Sequence, residues 1–185
     1  GRVVIARAAH AVGFPARFQL VAAANPCPCG HAMSPDGRCQ CTTAEIERYR
    51  ARLSGPLADR IDLHVHVGTV DVATLGRGHG EEPSTRVRER VIRARERQRA
   101  RWAAHGAARA NADVTGRTLL AHGGVTAEAR AMLEQAATRL GLSARGYHRA
   151  LKVARTIADL DGADTVGVAA VGEALAFRPT ASRGS

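Results

Sequence analysis

An apolar run, Phe18-Gln-Leu-Val-Ala-Ala-Ala24, stops at Asn25-Pro26, and a second, Leu63-His-Val-His-Val67, begins just after Asp59-Arg-Ile-Asp62. Two strand-like runs, one ending in a polar residue and the other opening behind an arginine, form the layout in which α/β nucleotide-binding proteins place their chemistry. The stretch from Phe18 to Val67 therefore organises the rest of the chain. An Asn side chain carries both donor and acceptor and can orient a water while its neighbours hold it. Asn before Pro is also an ordinary turn signal, so Asn25 gains meaning only from its context.

Between the two runs lie Cys27-Pro-Cys29 and Cys39-Gln-Cys41, separated by a loop containing Gly30, Pro35, Asp36 and Gly37. Four thiolates on two short knuckles can wrap a tetrahedral Zn²⁺. Free thiols or a redox-labile pair are the alternatives, and His31 is a substitute ligand or a plain loop residue. A basic helix follows: Thr42 or Thr43 caps residues 44–53, with Ile46, Tyr49 and Leu53 on one stripe, and Ser54-Gly55-Pro56 breaks it. His64 and His66 share one face of the second strand, as metal ligands or as a partly solvated polar pair.

Upstream, residues 3–8 and 13–22 read as the arms of a β-hairpin whose second arm continues into the sheet, with Leu20 to Ala24 buried. Arg2, Arg7 and Arg17 place charge on it, either protecting an edge or contacting DNA. Downstream, a glycine-rich connection leads to a helix over residues 84–104 with Val87, Val91, Ala94, Gln98 and Trp102 at helical spacing. A short helical piece is expected near Thr118-Leu-Leu120. Next comes a helix starting at Thr126 and stopped by Gly141, then one capped by Ser143 over residues 144–160, and a last over residues 168–177. Arg145 falls in the first turn of the Ser143-capped helix, with Arg149 one turn later. A cation there is unfavourable unless an anion offsets it, which makes the pair a phosphate-binding expectation.

The formal charge of +10 over 185 residues suits a polyanionic partner, although Lys152 is the only lysine and a GC-rich genome gives the same arginine bias. No apolar run approaches the ~20 residues that span a bilayer, and no signal peptide is present, so a cytoplasmic protein is expected. The chain starts at Gly1 rather than Met, as a fragment or a processed chain would. A G-x-x-x-x-G-K-[ST] phosphate loop is absent, as is an acidic run after an apolar strand that could hold Mg²⁺.

Taken together, Gly1-Arg-Val-Val-Ile-Ala-Arg7, Phe14-Pro-Ala-Arg-Phe-Gln-Leu-Val-Ala-Ala23, Asn25-Pro-Cys-Pro-Cys-Gly30, Arg48-Tyr-Arg-Ala-Arg-Leu-Ser-Gly-Pro-Leu57, Asp59-Arg-Ile-Asp-Leu63, Leu140-Gly-Leu-Ser-Ala-Arg-Gly-Tyr-His-Arg149 and Leu151-Lys-Val-Ala-Arg-Thr-Ile-Ala-Asp-Leu160 strongly resemble the magnesium-chelatase-like AAA+ ATPases of the ComM/YifB family. The resemblance runs from Gly1 to about Arg178 and implies an α/β fold: the distal part of an AAA+ P-loop NTPase core with a β-hairpin insertion, followed by an α-helical lid bundle. Its implied divisions are residues 1–70 as core with the Cys cluster, 71–83 as linker, 84–178 as helical lid and 179–185 as tail.

By the same resemblance, Asn25 matches the sensor that positions the attacking water, Arg60 an arginine finger supplied to a neighbouring subunit, and Arg145, supported by Arg149, the lid sensor. Cys27, Cys29, Cys39 and Cys41 remain the candidate zinc ligands. ATP and Mg²⁺ are the implied cofactors of the intact protein, and branched or single-stranded DNA and a hexameric ring its implied partners. His66 and Ala24 depart from the family pattern, at positions where an acid and a Met are expected. Without the Walker motifs this chain alone is expected neither to bind ATP tightly nor to hydrolyse it. Two other readings stand beside this one: a zinc-knuckle nucleic-acid-binding module without ATPase role, and the ATPase subunit of magnesium chelatase proper.

Overall fold

The computed structural model describes residues 1–7, 10–34, 36–52, 55–58, 60–68, 82–106 and 108–178. The connection expected over residues 71–83 lies outside them up to residue 81, as do the tail 179–185, Leu53, Ser54 and Asp59. The chain divides into two compact units, Gly1–Arg50 and Ala51–Ser185.

The first unit opens with an antiparallel hairpin, β1 (Arg2–Arg7) and β2 (His10–Pro15), in the register Arg2↔Pro15 to Arg7↔His10. Val3 faces Phe14 and Ile5 faces Val12, pairs of β-branched and aromatic residues that stabilise a two-stranded ladder. Both faces stay about half exposed. The ladder ends with the Ala16 amide donating to the Gly1 carbonyl at 2.8 Å.

Beyond Pro15 the expected continuation does not form. Residues 16–25 have no regular structure, and Phe18, Leu20 and Val21 are 77%, 64% and 84% exposed. The run Leu63–Val67 behaves likewise, with Val67 84% exposed. The cause is the same for both. A strand is defined by its partners, and among the described residues the hairpin strands pair only with each other. Two apolar runs with no adjacent ladder form no strand, although the His64 amide in the second donates to the Phe177 carbonyl.

Helix α1 (Thr43–Ala51) completes the first unit's elements, its last residue falling at the unit boundary. Its start is a reciprocal capping box. The Thr42 amide donates to Glu45 Oε2 at 2.8 Å, and the Glu45 amide donates to Thr42 Oγ1 at 3.3 Å. The Thr42 amide and hydroxyl hold the Glu45 carboxyl below its usual range. This contribution is full above the ordinary carboxylate range and is lost as pH falls through the lowered value.

Among its described residues, the regular structure of the second unit is helical apart from one isolated bridge. It contains α2 (Gly55–Ala58), α3 (Ser84–Trp102), a 3₁₀ turn (Asn111–Asp113), α4 (Gly116–His122), α5 (Ala127–Leu140), α6 (Ala144–Leu160) and α7 (Val168–Ala176). Thr115, Thr126 and Ser143 cap α4, α5 and α6 by accepting from the amides of Thr118, Ala129 and Gly146. Gly141, at φ 63°, closes α5, and the Leu142 amide donates to the Ala137 carbonyl at 2.9 Å, a Schellman ending.

Helix α6 is central, packing against α3, α4, α5 and α7. Leu151, Ala154 and Ala158 of its expected stripe are buried, with Tyr147 half-buried. The core gathers Trp102, Leu119, Leu133, Leu151, Val166 and Val171. Of the stripe expected on α3, Ala94, Gln98 and Trp102 are buried, whereas Val87 and Val91 are 38% and 45% exposed, because only the second half of the helix meets α6 and the 3₁₀ turn. A parallel bridge joins Val125 to Val166. Beside it Gly124, at φ 68°, passes so close to the Asp164 carbonyl that a Cβ would lie 2.9 Å from the oxygen.

Candidate functional site

The cysteine knuckle is built by two tight reversals. The Gly30 amide donates to the Cys27 carbonyl at 3.0 Å with Gly30 at φ 83°, and Gly37 turns the chain at φ 67° before Cys39. Arg38 is tied to Asp36 at 2.6 Å across that second turn. The result brings the Cys27, Cys29, Cys39 and Cys41 sulfurs within 4.8 Å of one another, far along the chain though the two pairs are.

These positions fit a metal. A Zn²⁺ ~2.3 Å from four sulfurs in a tetrahedron spaces them by ~3.8 Å. Cys27 and Cys39 stand 3.8 Å apart, Cys29 and Cys39 3.7 Å, and Cys27 and Cys29 3.3 Å. All four are free thiols in this arrangement. The Ala32 amide donates to the buried Cys27 sulfur at 3.3 Å.

The thiols perturb one another as crowded anions do. The His31 amide and the Cys27 thiol lower Cys29 to about 6. At Cys41 the Cys29 amide favours the thiolate, but the Cys29 side chain, burial and the Cys27 charge together push the thiol up to about 12. One thiolate among four is easily formed and four are not, unless a cation shares the site. His31 is exposed beside Cys29, outside the set of four.

Asn25 is exposed, two residues before the first cysteine. Its side chain lies beside the Gly30 turn, where a Cβ would come within 3.9 Å of the Asn25 amide carbon. Arg50, in the last turn of α1, donates to the Pro26 carbonyl at 3.4 Å, which ties that helix to the start of the knuckle.

In the second unit, Arg60 follows α2 in a turn made by the Arg60 amide donating to Leu57 and the Ile61 amide to Ala58, at 2.9 and 3.0 Å. Arg149 Nη1 donates to the Arg60 carbonyl and to Asp62 Oδ1, the latter at 2.5 Å. Arg178, only 5% exposed, donates to the Ile61 carbonyl at 3.2 Å, and the His64 amide donates to the Phe177 carbonyl at 2.9 Å. Arg145 is exposed in a first turn of α6 that contains no acid. Arg60 and Arg149 are thus brought together, and Arg145 stands one turn from Arg149. Asn25 and the cysteines belong to the other unit. His64 turns its ring toward the Ala58 carbonyl, Nε2 at 3.1 Å, and forms no metal cluster with His66 among the described residues.

Two features escape sequence reading. Arg178 sits past the last expected helix, where nothing local marks it as a contact. Arg155 and Asp159, four residues apart on α6, carry the only local signal, an i,i+4 charge pair that usually faces water. Both are fully buried here.

Comparison with known proteins divides the chain between residues 75 and 81, not at the boundary of the two compact units. Residues 1–75 match a family model described as magnesium chelatase, subunit ChlI, and residues 81–178 match magnesium chelatase, subunit ChlI C-terminal. The chain is 41% identical over 179 residues to the competence protein ComM of Haemophilus influenzae, covering 96% of this chain and 34% of that protein. It is 43% identical over 183 residues to an uncharacterised protein of Mycobacterium tuberculosis, covering 99% and 36%. With the uncharacterised protein YifB of Escherichia coli it shares 38% identity over 180 residues, covering 96% and 34%. The chain spans about a third of the length of these relatives. With both family models matched and ComM and YifB aligned along nearly its whole length, the chain belongs to the magnesium-chelatase-like family that contains ComM and YifB.

Proposed function

We propose that this chain is the sensor, arginine-finger and lid portion of a hexameric AAA+ ATPase that acts on DNA in the cytoplasm, promoting branch migration during transformation and recombination. The observation that carries this reading is the likeness to a competence protein across nearly the whole chain. In it, residues 1–70 are the distal core, 71–83 the linker, 84–178 the lid and 179–185 the tail. No helix among the described residues is long and apolar enough to cross a membrane.

Phosphoryl transfer needs little covalent chemistry from the protein, and positioning with cationic stabilisation does most of the work. Asn25 orients the attacking water with its amide. Arg60 reaches a neighbouring subunit's nucleotide and offsets charge on the transferring phosphoryl group. Arg145, in an acid-free first turn, takes the nucleotide phosphates held in its own subunit, where the α6 amides reinforce it. ATP with Mg²⁺ is the substrate of the intact assembly, and this chain supplies no phosphate loop of its own.

The test expresses the whole reading frame that encodes this chain and measures ATP hydrolysis with and without branched DNA. Turnover stimulated by branched DNA is expected. Absence of turnover, together with salt-sensitive DNA binding by the 185-residue chain, would replace this reading with a zinc-knuckle binding module, which the four clustered sulfurs favour. Turnover that required a second protein of porphyrin metal insertion would instead place the chain with the chelatase subunit whose name the family model bears.

The knuckle's role in this scheme is structural. A bound Zn²⁺ supplies a four-way tether between the peptide after Asn25 and the start of α1. We expect the purified chain to carry equimolar zinc, released to a colorimetric chelator after thiol alkylation and absent from Cys39→Ser. A zinc-free wild-type chain from zinc-replete cells would show that the cluster serves as thiols.

A further inference from the structure

We propose that Arg149 and Arg178 are positioning residues that fasten the backbone of the Arg60 segment to the lid helices, so that the segment and the start of α6 move as one body. The proposal rests on the reading of Arg60 as a trans-acting residue, and it adds what fixes that residue and what moves it.

Residues 60–64 are irregular backbone, and Arg60, Asp62 and Leu63 are exposed. Such segments ordinarily sit at the low-stability end of a fold and open freely. This one is held at consecutive peptides. Arg149, on α6, binds the Arg60 carbonyl and the Asp62 carboxylate; Arg178, just past α7, binds the Ile61 carbonyl; the Phe177 carbonyl accepts the His64 amide. Two of the three guanidinium acceptors are main-chain oxygens. What these arginines define is therefore the position of the backbone from which the Arg60 side chain departs, and not a fixed posture of that side chain.

The two clamp residues differ in a way that suits the task. Arg178 is buried, an anchor on the helical core, whereas Arg149 is partly exposed and its partner Asp62 is 65% exposed. An ion pair that wet adds little to global stability. Its effect is local, on where the segment sits. Arg149 is also one turn from Arg145 on the same rigid helix. A displacement of α6 that follows anion binding at Arg145 is thereby passed to residues 60–62 through a connection of one side chain's length. The group that senses a subunit's own nucleotide and the group that reaches the next subunit share one mount.

A misplacement of about 1 Å in a positioned group costs up to ~10²-fold in rate. In the 185-residue chain, Arg149→Ala is expected to speed amide exchange at Arg60, Ile61 and His64 about tenfold or more, with the thermal midpoint of the second unit unchanged. In the product of the whole reading frame, the same substitution is expected to lower kcat about tenfold to a hundredfold. KM for ATP should stay put, and Arg149→Lys should recover part of the loss. Asp62→Asn, which leaves Arg149 in place, serves as the second variant should Arg149→Ala fold poorly, and its exchange should rise in the same amides.

Unchanged exchange in both variants overturns the clamp, whatever the turnover. Unchanged kcat in Arg149→Ala, with turnover abolished in Arg60→Ala, also overturns it while leaving the trans role of Arg60 intact. Turnover that survives Arg60→Ala sinks the role of Arg60 instead, and the exchange data then decide the clamp as a feature of the fold alone.

Discussion

Arg60→Ala is expected to reduce ATP turnover of the intact assembly about 10³–10⁵-fold while leaving nucleotide affinity nearly unchanged, the scale on which a trans-acting arginine contributes to phosphoryl transfer. The split follows from where the side chain acts. A guanidinium that meets charge developing on the transferring phosphoryl group stabilises the transition state far more than the bound ground state, so kcat falls and KM does not. Arg60→Lys should recover little. A lysine offers a compact point charge in place of the planar fork that matches phosphate oxygens two at a time.

Mixing provides a second signature. If Arg60 serves the neighbouring site, Arg60→Ala subunits diluted into wild-type rings disable sites that are themselves intact. Adding subunits that lack their own lid sensor, Arg145→Ala, would then restore turnover at interfaces where an intact Arg60 faces an intact Arg145. Turnover in uniform Arg60→Ala rings within tenfold of wild type would end the assignment.

How much of this was legible in the sequence depends on range. The first hairpin arm, the caps at Thr42, Thr126 and Ser143, and the Gly141 stop are written in a few adjacent residues and form where the pattern places them, whereas the second arm, expected over residues 13–22, is the strand His10–Pro15. The cysteine set was legible as a cluster because spacing and residue type alone pointed to it. The runs 18–24 and 63–67 were misread as strands. Their apolar, β-branched character describes a chain fit for a sheet, but whether a sheet forms is decided by neighbours that a local window does not contain. Asp62 illustrates the same limit. Its carboxylate meets Arg149, far along the chain, whose place beside it is set by the packing of α6.

The residue least expected from sequence to matter yields the largest stability effect. Asp159→Ala is expected to destabilise the helical unit by about 3–5 kcal/mol, the cost of stranding a buried charge. The Asp159 carboxylate is fully buried and accepts four hydrogen bonds. Oδ1 takes Arg101 Nη2 at 2.6 Å and Arg155 Nη2 at 2.9 Å; Oδ2 takes Arg101 Nη1 at 3.1 Å and Asn111 Nδ2 at 2.8 Å. Asn111 in turn accepts from Trp102 Nε1 at 2.9 Å, so one carboxylate joins α3, the 3₁₀ turn and α6.

The two arginines respond differently to its loss. Arg101 is 15% exposed and can turn to water. Arg155 cannot: its side chain is fully buried, with its other Nη hydrogens on the carbonyls of Gly123, Ala163 and Asp164 and its Nε without a partner among the described residues. Burial already lowers its pKa, and Asp159 is what opposes that shift. Without the carboxylate the carbonyls still accept hydrogen bonds but cancel no charge. Arg101→Met should therefore cost less, about 1.5–3 kcal/mol, since it removes charge-assisted bonds and leaves the Arg155–Asp159 pair neutral.

Asp159→Asn keeps the shape and loses the charge, and belongs with the alanine variant. Trp102, the chain's single tryptophan, reports the transition directly, because the indole is bonded to the residue that Asp159 orients. Urea unfolding followed by its fluorescence should rank Asp159→Ala and Asp159→Asn well below Arg101→Met. Equal losses in all three would mean that the guanidinium charge on Arg155 is neutralised by something other than Asp159. With total stabilities of about 5–15 kcal/mol typical of such domains, the predicted loss removes a large share of what holds α6 in place. On the proposed reading Arg145 and Arg149 both depend on that one helix, so Asp159→Ala should mimic Arg149→Ala in local exchange before it unfolds.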